Sequence, residues 1–174
     1  LNELNAPDKG QLFIPPENEL VGDVGLLFNE LRRVDIFNRC KTSGWCVDEI
    51  AELAMTEMKQ KSSCLIIVNT KSWAQNLFQR LKSDLSNDAI FHLSTNQYPA
   101  HRQRILKAVR TKLENHEPVL CISTQLIEAG VDIDFASVIR FVAGLDSIAQ
   151  AAGRCNRNGA LKDHLGAPIR GTVH

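Results

Sequence analysis

Short apolar runs alternate with amphipathic stretches through the middle of the chain. Four runs predict β-strands: CLIIV at 64–68, AIFHL at 89–93, VLCIS at 119–123 and SVIRFV at 137–142. The first and third of these runs are apolar without alternation, which is typical of strands covered by helices on both faces. The pattern therefore predicts a three-layer α/β domain with a mainly parallel sheet, in which these two strands are central.

The segments between the strands show helical spacing. Trp73, Leu77, Leu81 and Leu85 recur every four positions, so one stripe of this helix faces the sheet, and Thr70 is a candidate N-cap. The other predicted helices occupy about 45–62 and the stretch that begins at Pro99.

The flanks of this region are less regular. RRVDIF at 32–37 predicts a further strand, and residues 1–33 read as a linker with a short lead-in helix near 26–31. We expect residues 34–174 to form one domain. The chain has no initiator Met, and its tail stops where a turn leads toward another strand, so we expect a segment of a longer protein that is truncated at its C-terminus.

Composition narrows the class of protein. With 174 residues, 44% of them hydrophobic, the chain is long enough for one compact domain with a substantial core. Its formal net charge is zero, so any surface that attracts nucleic acid must be local. No apolar run has the length of a membrane span, and the N-terminal residues LNELNAPDKG lack the cationic start and apolar stretch that mark a signal peptide, so we expect a cytoplasmic protein without a membrane partner.

The cysteines give no sign of a metal site. Their number, five, is odd, and none stands in a C-x-x-C pair, which disfavours zinc. Cys64 and Cys121 lie in apolar strands and behave as small hydrophobic residues. A disulfide between Cys40 and Cys46 is conceivable, but reduced thiols are favoured in a cytoplasmic chain.

Two polar clusters carry the candidate chemistry. STQLIEAGVDID at 123–134 leaves a buried strand, passes Gly130 and presents two acids, Asp132 and Asp134; QAAGRCNRNG at 150–159 carries two arginines. Glycine permits close backbone approach, carboxylates accept hydrogen bonds from sugar hydroxyls, and arginine forks match phosphate oxygens. If this segment is helical, the two arginines lie one turn apart on the same face. Each cluster alone is a weak signal, whereas both in this order after α/β units indicate a phosphate site.

These motifs resemble those of superfamily 2 helicases. LIIVNT with KSWAQNLFQRL is similar to motif IV, STQLIEAGVDID to motif V, and QAAGRCNR to the Q-x-x-G-R-x-x-R of motif VI. The chain therefore resembles the second RecA-like domain of these helicases, over about 34–160. HLST at 92–95, TQLIEAGVDIDF at 124–135 and DSIAQAAGRCNRNG at 146–159 are most similar to the helicase-nuclease of type I CRISPR systems.

The resemblance implies a role for each matching residue. Arg157 matches the arginine finger that reaches the γ-phosphate, Arg154 its companion, and Gln150 the glutamine beside the attacking water. The implied nucleotide-binding positions are Asp132, Gly130 and Gly153. The implied contacts with the backbone of single-stranded DNA are Thr124, Gln125, Thr70 and Thr95. Many relatives have arginine where this chain has Ala151, which removes one potential phosphate contact.

Several parts of such an enzyme are absent from this sequence. There is no P-loop G-x-x-x-x-G-K-[ST] and no DEAD- or DEAH-type run, so ATP and Mg²⁺ would need a first RecA-like domain from elsewhere in the same protein. No histidine and aspartate group has the spacing of a nuclease metal site, and we expect no metal ligands here. The implied partners are that first domain, single-stranded DNA and a CRISPR surveillance complex.

Two alternatives remain open from the residues alone. A RecA-like domain without catalysis could serve as a degenerate module that recruits a protein or nucleic acid, or the chain could be a plain doubly wound domain with a phosphate-binding turn. Retention of both Arg154 and Arg157 argues against loss of ATP chemistry. A dinucleotide-dependent enzyme is disfavoured because no G-x-G-x-x-G follows a strand.

The missing P-loop leads to the first prediction. The purified chain should fold and yet release no phosphate from ATP above background, because the groups that hold the β- and γ-phosphates are absent. A phosphate-release assay on homogeneous protein checks this. Turnover that co-purifies with the chain would contradict the interpretation of the chain as half of a site.

Overall fold

The computed structural model describes residue 15 and residues 22–124, 133–163 and 165–174. The chain divides into two units, Leu1–Arg32 and Arg33–His174. In the first unit, helix α1 spans Val24–Leu31. The Asp23 carboxylate caps this helix by accepting a hydrogen bond from the Leu26 amide at 2.8 Å. Gln125, Gly130 and Asp132 lie outside the described residues.

The second unit contains six strands and four helices among its described residues. In chain order they are β1 Val34–Ile36, α2 Val47–Lys61, β2 Ser63–Ile67, α3 Lys71–Leu81, β3 Ile90–Leu93, α4 Pro99–Glu114, β4 Val119–Ser123, β5 Ser137–Arg140, α5 Leu145–Ala152 and β6 Gly171–Val173. The strands form one sheet in the order β1-β6-β5-β2-β4-β3, and every neighbouring pair is parallel.

The sheet separates two apolar layers. Helices α2 and α3 pack on one face, against Cys64, Ile66 and Val68 of the β2 segment. Helices α4 and α5 pack on the other face, against Leu65 and Ile67. Alternate residues of β2 thus point into opposite layers, and β2 and β4 are buried at every position. This confirms the three-layer α/β architecture and the central place of both strands.

The observed elements differ from the predicted ones mainly at their ends. Helix α3 begins after Thr70, whose hydroxyl accepts from the Trp73 amide at 3.2 Å, but it ends at Leu81. The four-residue repeat continues to Leu85 because that side chain still packs on the core from the turn that follows the helix. The run at 137–142 stops being a strand after Arg140, and the tail contributes β6 between β1 and β5.

The cysteines of the two predicted groups differ in burial. Cys64 and Cys121 are buried, and burial raises the pKa of both thiols, that of Cys121 to about 12. They remain protonated at neutral pH and act as apolar side chains, as expected. Cys40 and Cys46 are exposed free thiols in this structure.

A buried polar network joins α2 to β5 and β6. Glu57 accepts from the Thr172 hydroxyl at 2.7 Å and lies 3.0 Å from Nε2 of His174. Burial acts to raise the pKa of the Glu57 carboxyl, but hydrogen bonds from Thr172, Ser137 and His174 outweigh it and hold that pKa below its usual value. Burial lowers the pKa of His174 despite Glu57, so a charged carboxylate paired with a neutral imidazole is favoured at neutral pH.

None of the helices that the structure describes combines the length and the apolar composition that a bilayer crossing demands.

Close packing at β6 generates the second prediction. A Cβ added to Gly171 would lie 2.4 Å from Sγ of Cys155 and 3.1 Å from the Ala136 carbonyl oxygen. Gly171→Ala should therefore lower the free energy of unfolding by about 1–3 kcal/mol, the usual cost of overpacking. Chemical denaturation of the chain measures this.

The matched control is Gly22→Ala, because a methyl group at Gly22 meets nothing within 4 Å. It should change the stability by less than about 0.5 kcal/mol. Equal effects of the two substitutions would mean that β6 does not pack closely on Cys155.

Candidate nucleotide and nucleic-acid site

The two arginines lie in a turn that follows α5. The helix ends at Ala152, and Gly153 is its C-cap with a right-handed φ of −65°. A shared helix face for Arg154 and Arg157 required a helical segment, and that condition is not met, because both residues lie beyond the last helical position. We call residues 153–159 the arginine turn.

Backbone hydrogen bonds attach the arginine turn to the sheet. Phe135 N–H donates to the Arg154 carbonyl at 2.9 Å, and Asn156 N–H donates to the Phe135 carbonyl at 2.9 Å. Phe135 and Cys155 form an isolated parallel bridge just before β5 begins. The arginine turn thus lies at the amino end of β5, as a short continuation of the sheet.

Asn156 is the buried centre of this turn. It is 2% exposed, and its φ of 45° is in the left-handed region, which asparagine tolerates better than most residues. Its Nδ2 donates to the carbonyls of Arg33 and Ile169, each at 3.0 Å, and its Oδ1 accepts from the Leu161 amide at 3.2 Å. One side chain therefore joins the turn to the segments before β1 and before β6.

Asp134 holds the turn from the other side. Its Oδ1 accepts from the Arg157 amide at 2.7 Å, and its Oδ2 accepts from the Asn158 amide at 3.1 Å. The guanidinium of Arg33 donates to the Arg157 carbonyl. The sequence predicts Asp134, together with Asp132, as an acid available to a sugar hydroxyl. The structure gives Asp134 a different task, because both its oxygens accept main-chain hydrogen bonds.

The other residues predicted to contact the nucleotide in this region lie on α5 and on the arginine turn. Gln150 is exposed on α5, and Arg157 is exposed on the arginine turn. Arg154 is partly buried, and its carbonyl makes the bond to Phe135 described above. Gly153 is exposed at the end of α5. Gln150, Gly153, Arg154 and Arg157 therefore lie along the last turn of α5 and the arginine turn that follows it.

The threonines form a second group at the opposite end of the sheet. Thr70, Thr95 and Thr124 follow the carboxyl ends of β2, β3 and β4, which are neighbours in the sheet. Thr70 and Thr95 are exposed and Thr124 is partly buried. Because the strands are parallel, the three residues share one edge, which we call the threonine edge. The arginine turn lies at the amino end of β5, so the structure separates the two predicted groups.

Sequence reasoning missed a pair that shapes the sheet near the threonine edge. The Arg140 guanidinium donates to Oδ1 of Asn69 at 2.7 Å and to the Phe141 carbonyl at 3.0 Å. Asn69 in turn donates to the Val142 carbonyl at 2.9 Å. Arg140 is only 7% exposed. The available signal was one charged residue inside the apolar run SVIRFV, since a buried arginine requires partners.

A second missed contact orders the loop after β3. Nζ of Lys71, the first residue of α3, donates to Oδ1 of Asn96 at 2.7 Å. Gln97 donates to the His92 carbonyl at 2.9 Å and accepts from the Ser94 amide at 3.1 Å. These bonds fix the loop that carries Thr95. Nothing in the spacing of NTKS and STNQ indicated this pairing.

The donors gathered here suit anions better than cations. The arginine turn presents guanidinium groups, and the threonine edge presents hydroxyls. Across the described residues, no group of three or more histidine, cysteine, aspartate or glutamate side chains is arranged to hold a metal ion. Guanidinium groups match phosphate oxygens in geometry and charge, and hydroxyl groups are common partners of a phosphodiester backbone.

Solved structures define the class of fold. The crystal structure of T. fusca Cas3-AMPPNP aligns with a TM-score of 0.62 and 18% identity over 81% of this chain and 18% of that chain. S. cerevisiae Dbp5 L327V bound to RNA and ADP BeF3 aligns with a TM-score of 0.57 and 20% identity over 96% of this chain and 38% of that chain. The fold is therefore that of a RecA-like helicase domain.

Sequence comparison then gives the family. The family model described as CRISPR-associated nuclease/helicase Cas3, C-terminal, matches residues 60–160, and the chain belongs to this family. The CRISPR-associated nuclease/helicase Cas3 of Haloferax volcanii is 36% identical over 104 residues, or 58% of this chain. That of Methanothermobacter thermautotrophicus is 30% identical over 98 residues, or 56% of this chain. The match spans 11% of the length of each relative.

The contacts of Asn156 generate the third prediction. Asn156→Ala removes three side-chain hydrogen bonds and places a residue with a poor left-handed preference at φ 45°. It should lower the free energy of unfolding by about 2–4 kcal/mol, since buried carbonyls and an amide lose partners. Thermal and urea denaturation measure the loss.

Asn156→Gly separates the two contributions. Glycine accepts the left-handed backbone but makes no side-chain bonds, so this variant should be more stable than Asn156→Ala and less stable than the wild type. Wild-type stability in Asn156→Ala would show that these hydrogen bonds do not hold the turn.

Proposed function

We propose that this chain supplies the second half of the ATP site of a superfamily 2 DNA helicase or translocase that acts in type I CRISPR interference. Arg157 is the arginine finger, Arg154 its companion on the phosphates, and Gln150 lies beside the attacking water. The observation that carries the proposal is the arginine turn: an exposed Arg157 on a backbone fixed by Asp134, Asn156 and Arg33. Membership of the Cas3-like C-terminal family supports it.

The electrostatic argument concerns the transition state. Charge builds on the γ-phosphate during phosphoryl transfer, and a guanidinium placed there lowers the barrier without chemistry of its own. ATP, with Mg²⁺, would be held mainly by the first RecA-like domain of the same protein, and closure of the two domains would bring Arg157 to the phosphate. Asp132, Gly130 and Gly153 would complete the nucleotide side of the site.

The threonine edge provides the track for nucleic acid. We propose that Thr70, Thr95 and Thr124, together with Gln125, contact the backbone of single-stranded DNA through hydroxyl and amide groups, which read no sequence. The bonds of Lys71 and Gln97 that order the loop around Thr95 support this role. The further partner would be a CRISPR surveillance complex, and the protein would work in the cytoplasm.

The fourth prediction tests Arg157 in the longer protein. Arg157→Ala should lower the rate of ATP hydrolysis by about 10³-fold or more, while ATP binding weakens far less, because the finger acts mainly in the transition state. Arg157→Lys should restore little of the rate, since an ammonium group lacks the planar fork. Phosphate release and nucleotide-binding titrations measure the two quantities.

Lys59→Ala is the control, because Lys59 is an exposed cation on α2, on the other face of the sheet from α5. It should hydrolyse ATP like the wild type. A near-normal ATPase in Arg157→Ala together with reduced stability would instead assign Arg157 a role within its own domain and overturn the proposal.

A further inference from the structure

Asp134 bonds to two successive main-chain amides of the arginine turn. One carboxylate oxygen accepts from Arg157 and the other from Asn158, at 2.7 and 3.1 Å. Since each oxygen has its own partner, the carboxylate fixes the position and the orientation of the two peptide groups that flank residue 157. Charge-assisted bonds of this kind are shorter and stronger than neutral ones.

We infer that Asp134 is a positioning residue for Arg157, and that its carboxylate sets the point from which the guanidinium reaches the γ-phosphate. The inference rests on the proposed function of Arg157. Asp134 itself touches no reacting atom. It acts through the backbone of the residue that does.

The need for such a device follows from the side chain. Arginine has a long, flexible side chain. Ordering this side chain on binding costs conformational entropy, which weakens the net interaction with the phosphate. A fixed backbone removes one source of this freedom before the phosphate arrives. Both ends of residue 157 are held, because Asp134 accepts from its N–H and the Arg33 guanidinium donates to its C=O. Errors of about 1 Å in such placements can cost about 10²-fold in rate.

The position of Asp134 in the chain connects this bond to the sheet. Phe135, the next residue, exchanges hydrogen bonds with Arg154 and Asn156, and β5 starts two residues later. Asp134 is thus attached to the sheet directly through the backbone. The backbone of Arg157 is therefore tied to the segment that leads into β5, and a closing movement of the whole domain would carry the guanidinium with it.

The chain contains a matched control for this carboxylate. Asp163 also accepts two main-chain hydrogen bonds through Oδ1, from Leu165 at 2.8 Å and Ala167 at 2.9 Å. Its turn carries no arginine finger. Asp163→Ala removes the same kind of contact as Asp134→Ala, so the difference between the two variants reports on Arg157 and not on the general loss of a capped turn.

The first arm of the experiment uses this chain. Residue-resolved amide exchange should show Arg157 and Asn158 exchanging about 10-fold faster in Asp134→Ala than in the wild type, the change expected for the loss of one hydrogen bond to a charged group. Asp163→Ala should leave both amides unchanged. Unaltered exchange at Arg157 and Asn158 in Asp134→Ala would overturn the inference.

The second arm uses the longer protein that contains this domain. Asp134→Ala should lower kcat for ATP hydrolysis about 10- to 100-fold, with KM for ATP changed less than about 2-fold, because the contact matters mainly in the transition state. Asp134→Asn keeps one acceptor oxygen and should recover part of kcat. Asp163→Ala should match the wild type.

The outcomes separate the inference from the proposed function. An active wild type with full kcat in Asp134→Ala overturns the positioning role alone. A rise in KM with unchanged kcat also overturns it, because that pattern belongs to ground-state binding. A pure wild-type protein that hydrolyses no ATP overturns the proposed function, and the positioning role with it.

Discussion

Two backbone hydrogen bonds of Phe135 decide where the candidate chemistry lies. They join the arginine turn to the strand that becomes β5, and the side-chain bonds of Asn156 and Asp134 add to this junction. Without it, the turn would not continue the sheet through its backbone and would be joined to it through side chains such as that of Asn156. With it, Asn156 is buried beside Cys155, and Asp134 faces the amides of Arg157 and Asn158.

The parallel sheet gives the domain two separate chemical edges. Its carboxyl edge carries the threonines, and the amino end of β5 carries the arginine turn. Between them lie β2 and β4, which are fully buried and close-packed on both faces. Such interiors deform little. A nucleic acid bound at one edge and a nucleotide bound at the other would therefore be connected by a rigid sheet. When the domain moves, both edges would move together.

The sequence predicts the architecture well, and the reason is periodicity. Non-alternating runs at β2 and β4 require cover on both faces, and the leucines of α3 repeat at helical spacing. Periodicity is weaker at boundaries. Leu85 keeps the repeat of α3 because its side chain packs on the core from the turn after the helix. Strand β6 begins with a glycine and has one apolar side chain, so its sequence GTV shows no apolar run.

The candidate site was predictable in its residue types and not in its geometry. The glycine, acidic and arginine residues indicated a phosphate-binding site. The pattern could not show that both carboxylate oxygens of Asp134 accept hydrogen bonds from main-chain amides. Nor could it show that Arg140 reaches Asn69, because that contact joins residues 71 positions apart. Long-range pairs of this kind depend on strand order, which local spacing does not contain.

The arginine turn also bears on the chemical ageing of the protein. Asn158 precedes Gly159, a dipeptide prone to deamidation, in which the glycine nitrogen attacks the asparagine side chain through a cyclic imide. Here the Gly159 amide donates to the Asn156 carbonyl at 3.0 Å, and the Asn158 amide is held by Asp134. Both bonds oppose the backbone rotation that the attack requires. If the turn opened, Asn158 would begin to convert to isoaspartate, which lengthens the main chain by one carbon beside Arg157. The folded turn therefore protects its own covalent structure.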